Sequence, residues 1–146
     1  MSSEENLRKV EAGLVAVNIR DVETFLALLD PEFQLKLVLK PDMVNQEGAH
    51  NGKEELRAQI NQVYSVFPDY QMEQVVLRAH GNMVYHEVIV RGTHQGGFTL
   101  PNGVTIAPTG RRVEIPVEVY HTFDPTGRFL SSTVYVNLLD VLKQFQ

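Results

Sequence analysis

The chain has 146 residues and no cysteine, which suits one domain, residues 1–146, folding without disulfides, thiol chemistry or cysteine-held zinc, as in a reducing cytoplasm. Its 13 basic and 18 acidic side chains leave a formal net charge of −5, which argues against a nucleic-acid or anionic-membrane surface. No apolar run approaches the roughly 20 residues that span a bilayer, and Met1 to Val10 is too polar for a signal peptide.

Leu7, Val10, Leu14 and Val17 recur at helical spacing and predict an amphipathic helix over Glu4 to Asn18. Asp21 is placed to cap a second helix with Val22, Phe25, Leu26 and Leu29 on its apolar face. Asp30-Pro31 ends it, because the residue before a proline is pushed out of the helical region. Phe33, Leu35, Leu37 and Leu39 then alternate with Gln34, Lys36 and Lys40, the pattern of a half-buried strand. Pro41 to Asn51 reads as a polar loop. Leu56, Ile60, Val63, Tyr64 and Phe67 form the stripe of a third helix, from Lys53 to just before Pro68.

From Gln71 the period changes to two. Gln71 to Ala79 is a strand of ambiguous inward face, and Gly81-Asn82 is a turn. Val84, His86, Val88 and Val90 then share a face, as do Val113, Ile115, Val117, Val119, His121 and Phe123. Between these strands runs a long Gly- and Pro-rich connection with a Pro101-Asn102-Gly103 turn, suited to a functional rim or a flap. Asp124-Pro125-Thr126-Gly127 is a hairpin turn. The last strand, Arg128 to Val136, puts Phe129, Ser131, Thr133 and Tyr135 on one face and Leu130, Ser132, Val134 and Val136 on the other. Leu138, Leu139, Leu142 and Phe145 form a short helical tail.

Helices first and a meander last predict an α+β fold, with the helices against one face of a bent sheet. Polar side chains on the concave face are then the site candidates. His86 and His121 lie on the apolar faces of two strands; each reads either as a general base or as a hydrogen-bonded core histidine. His94 reads as a residue that fixes the long connection. Thr133, Tyr135 and Asn137 share a direction if the strand is regular, and suit an oxygen-bearing ligand against a wall of Val88, Val117 and Val119. No histidine pair has the close helical spacing of a metal site, so neither metal nor cofactor is expected.

Several short motifs occur in a telling order: Asn18-Ile19-Arg20-Asp21, Gly52-Lys53-Glu54, Phe67-Pro68-Asp69, Gly92-Thr93-His94-Gln95-Gly96, Pro108-Thr109-Gly110-Arg111 and Leu142-Lys143-Gln144-Phe145. Together they resemble the SnoaL-like polyketide cyclase family of the nuclear-transport-factor-2-like superfamily. The resemblance implies a cone: a strongly bent antiparallel sheet wrapped around three helices, with a pocket at the open end for a small apolar or polyketide-like ligand. It implies a homodimer through a convex face carrying Leu130, Val134 and Val136 beside Glu118 and Tyr120. It also implies a catalytic aspartate on the last strand, at the position held here by Asn137, with Asp140 the alternative. The first strand carries Leu35, Leu37 and Leu39 where many relatives have a histidine. Two functions are expected from these residues: an acid/base cyclase, isomerase or hydrolase using His86 or His121, or a non-catalytic small-molecule binder of the same fold.

Overall fold

The computed structural model describes residues 2–40, 44–99 and 103–145. Helix α1 (Ser3–Asn18) opens on Ser2, whose hydroxyl accepts the Glu5 N–H at 3.1 Å. Asp21 caps α2 (Val22–Ala27) as the sequence predicts, accepting the Thr24 N–H at 3.2 Å. Leu29 belongs to the next element, since β1 (Leu29–Lys40) begins ahead of Pro31 and runs through it. β1 pairs with β2 (Val44–Asn51), where the sequence predicts a loop. β2 is an edge strand, bonded on one side, and needs no apolar alternation to hold its place. The start of that expected loop, Pro41 to Met43, lies outside the described residues. Helix α3 (Lys53–Val66) follows Gly52, whose φ of 91° favours glycine, and ends before Pro68.

The second half alternates β3 (Gln71–His80), β4 (Met83–Thr93), a small ribbon of β5 (Phe98–Thr99) and β6 (Thr105–Ile106), β7 (Arg112–Phe123), β8 (Phe129–Asn137) and α4 (Leu138–Gln144). The main sheet is curved and open, in the order β2-β1-β8-β7-β4-β3. Its neighbours are antiparallel except β1 and β8, which run parallel. The expectation of a wholly antiparallel sheet is corrected at that seam. Parallel partners need a long crossover, and most of the chain separates these two.

β4 and β7 bury alternate residues as expected. β3 and β8 do not keep one parity. On β8, Phe129 pairs with Phe123 and Ser131 with Thr122, so Leu130 is an extra residue. On β3 the register shifts between Gln74 and Val76, which makes Val75 the extra residue. Each such bulge bends its strand and moves every later side chain to the other face.

The motif residues act as cross-links. The Asn18 side chain bonds both backbone groups of Met72, accepting from N–H at 2.8 Å and donating to the carbonyl at 2.9 Å, which ties α1 to β3. Asp69 accepts the Thr93 N–H at 2.6 Å and the Thr93 hydroxyl at 2.8 Å, and these bonds hold its carboxyl below the usual range. His94 is fully buried beside Phe67, Phe98 and Phe145. Its Nδ1 accepts the Thr109 N–H at 3.2 Å and lies 2.9 Å from the Thr109 hydroxyl. It therefore fixes the long connection, as its sequence reading has it. Pro101 and Asn102 of the expected turn lie outside the described residues. A Cβ at Gly96 would collide with the Ser65 carbonyl oxygen, so the connection lies tightly on the end of α3.

Candidate functional site

Between the helices and the concave face of the sheet is a cavity of about 190 Å³. Val10, Leu14 and Val17 of α1, Phe25 of α2, and Leu56 and Ile60 of α3 form one wall. The sheet supplies Leu35, Met72, Val88, Val119 and Val134. Four polar side chains interrupt this apolar lining: His86, His121, Ser132 and Tyr70.

The two imidazoles sit on adjacent strands with ring centroids 6.0 Å apart. His86 Nε2 lies 3.1 Å from Gln74 Oε1, which accepts only, so Nε2 carries the proton and Nδ1 keeps a lone pair. Gln74 reaches His86 because the bulge at Val75 leaves Met72 and Gln74 on the same side as Leu77 and Ala79. His121 Nδ1 lies 2.7 Å from the hydroxyl of its cross-strand partner Ser132. Burial away from water pushes His86 down to about 4, against an opposing pull from the Glu11 carboxylate on α1. Burial pushes His121 down to about 3, and the neighbouring His86 adds to the shift. Both imidazoles are therefore neutral at pH 7. Burial also raises the Tyr70 phenol, which stays protonated and can donate a hydrogen bond.

Of the residues picked from sequence, His86, His121, Val88 and Val119 meet at this cavity. Val117 is buried in the same face, within the neighbouring apolar cluster of Val90, Val113 and Ile115. Thr133, Tyr135 and Asn137 do not line this cavity; Tyr135 and Asn137 instead line a second cavity of about 360 Å³ with Val88, Val117 and Asp140. The bulge at Leu130 turns Ser132 and Val134 inward and Thr133, Tyr135 and Asn137 outward. Tyr135 stacks edge-on against Tyr120 and lies under the Lys40 ammonium. Asn137 is exposed and caps α4, accepting the Asp140 N–H at 3.2 Å. Asp140 is also exposed, in the first turn of that helix. Neither residue occupies an acid/base position in the first cavity. Val134 and Val136 pack inward rather than on the convex face, for the same reason. Ser132, Gln74 and Tyr70 are the polar groups that sequence reasoning missed. Tyr70 follows Phe67-Pro68-Asp69 in a short connection without periodicity, and its place beside that motif is its one signal. Among the described residues, no group of three His, Asp or Glu side chains is arranged to hold a metal ion.

A family model described as the SnoaL-like domain matches residues 10–131. The chain belongs to the SnoaL-like domain family. Solved structures agree on the fold. A candidate polyketide cyclase from Xanthomonas campestris pv. campestris superposes with a TM-score of 0.81 at 20% identity, covering 99% of this chain and 98% of that one. A candidate SnoaL-like polyketide cyclase from Jannaschia sp. CCS1 gives 0.81 at 18%, covering 98% and 92%. SalBIII, an epoxide hydrolase/cyclase-like enzyme with a role in pyran ring formation in the polyether salinomycin, gives 0.72 at 19%, covering 94% of each chain. No curated protein matches. At these identities the SnoaL-like fold is shared, and the chemistry has to be argued from the cavity of this chain. None of its described helices is long and apolar enough to cross a membrane.

Proposed function

We propose that this SnoaL-like protein is an acid/base enzyme of the cyclase, isomerase or hydrolase type, acting on a small molecule held in the cone. The observation that carries the reading is the pair of neutral imidazoles, 6.0 Å apart by ring centroid, that face one apolar cavity. His86 Nδ1 is the base: it carries the lone pair when Nε2–H donates to Gln74. It takes a proton from the ligand and returns it at a second atom, so the step is neutral overall. His121, oriented by Ser132, stabilises the oxygen that gains charge. An imidazole this far depressed is a weak base, which suits a proton already acidified by a neighbouring carbonyl.

A second reading has support of its own. No Asp or Glu is among the described side chains that line the cavity, which favours a binding protein without chemistry. Hydrogen–deuterium exchange of ethyl acetoacetate in D2O, followed by NMR, separates the two. The enzyme reading expects accelerated exchange that falls at least about 100-fold in His86→Gln. Binding without any acceleration supports the binder; parent-like exchange in both His86→Gln and His121→Gln ends the acid/base reading.

The convex face supports a homodimer. Tyr85, Tyr120 and Tyr135 form a row with centroids 5.0 and 5.7 Å apart, and Leu130 is also exposed. Such an interface would bury at least about 1,000 Å², and sedimentation equilibrium giving 16.5 kDa at micromolar concentration would refute it. A cytoplasmic location, in keeping with a chain free of cysteine, is checked by fractionation.

A further inference from the structure

The cavity holding His86 and His121 measures about 190 Å³. An apolar cavity of about 150 Å³ accepts one benzene ring. The extra space admits a short substituent. The lining is also without formal charge. Among the described residues it contains no Asp, Glu, Lys or Arg, and its polar groups are two imidazoles, the Ser132 hydroxyl and the Tyr70 phenol. An ion placed there would lose its hydration and find no counter-charge. With Nε2 directed at Gln74, a ligand hydroxyl can donate to the lone pair on His86 Nδ1.

We propose that the cavity selects a neutral, hydroxyl-bearing molecule, of which it holds about one ring, and rejects anionic analogues. This rests on the reading of the cone as the small-molecule site.

Two probes test it against the intact protein: benzyl alcohol and benzoate. The second changes the charge at nearly constant size. Binding is read from the methyl resonances of Val88 and Val119 in ¹³C-labelled protein, which also report that the fold is intact. Benzyl alcohol is expected to shift both methyls with saturation, and benzoate to bind at least about tenfold more weakly. Benzoate binding as tightly as benzyl alcohol overturns the proposal while leaving the cavity as the site. If neither probe moves either methyl, the proposal falls together with the small-molecule reading of the cone.

Discussion

The buried histidines make acid stability a direct test of the site. Both have folded-state values depressed from 6.5, His86 to about 4 and His121 to about 3. A group depressed on folding contributes stability that is complete above its unfolded value and is lost as pH falls toward the folded one. At pH 5 the unfolded histidines are protonated and the folded ones are still neutral. The loss then depends on the distance from 6.5 to 5, about 1.5 units, or about 2 kcal/mol for each histidine. His86 bonds the exposed Gln74, and solvent screening there reduces its share, so the pair accounts for about 2–4 kcal/mol. The groups facing them are Glu11 from α1, which opposes the loss at His86, and each other. The depressed carboxylates Asp21, Asp69 and Asp124 titrate below this window. Urea unfolding from pH 7.5 to 5, followed by far-UV circular dichroism, measures the effect in the parent and in His86→Gln/His121→Gln. The parent midpoint should drop by about 1–2 M more than that of the double variant. The comparison cancels His50, His80 and His94, which both proteins share. Equal drops in the two proteins would mean that the imidazoles are hydrated in the folded state, and the account of the cavity would be wrong.

Other perturbations probe the supports around the cavity. Gly96→Ala forces a methyl onto the Ser65 carbonyl oxygen and should destabilise by about 1–3 kcal/mol in the same unfolding assay. Asn18→Ala leaves both backbone groups of Met72 without their partner and should cost about 1–3 kcal/mol, with hydrogen exchange quickening at the Met72 amide. Asn137→Ala removes the cap of α4 and should cost about 1 kcal/mol, while leaving benzyl alcohol affinity unchanged; Asn137→Asp, which keeps a capping oxygen, should create no new turnover.

Legibility followed strand regularity. β4 and β7 alternate without interruption, so the inward direction of His86, Val88, Val119 and His121 could be read directly. β8 alternates in sequence too, but the extra residue at Leu130 inverts everything after it, so regular alternation points Thr133, Tyr135 and Asn137 to the opposite side from the one they take. Nothing in Phe129-Leu130-Ser131 announces the bulge, because it is set by how β8 must bend to pair with both β7 and β1. The ambiguous face of β3 has the same origin at Val75. β2 escaped notice because an edge strand takes its place from backbone pairing with β1 rather than from a buried face.

The recognisable motifs and the chemistry occupy different residues. Asn18, Asp69, His94 and Thr109 each tie one connection to another element through backbone hydrogen bonds. None of them lines the cavity. Their contribution is to hold α1 and the long connection against the sheet, so that a space remains between the two layers. The groups in that space are fixed only by inward strand positions and one short connection: His86, His121, Ser132 and Tyr70. A substitution at one of these positions changes what the cavity offers a ligand without touching a motif bond. That separation leaves the cavity's polar groups free to differ between chains that share this fold at about 20% identity. It also directs functional mapping of this chain to β4 and β7, whose paired register sets His86 and His121 side by side, rather than to the motifs that reveal its family.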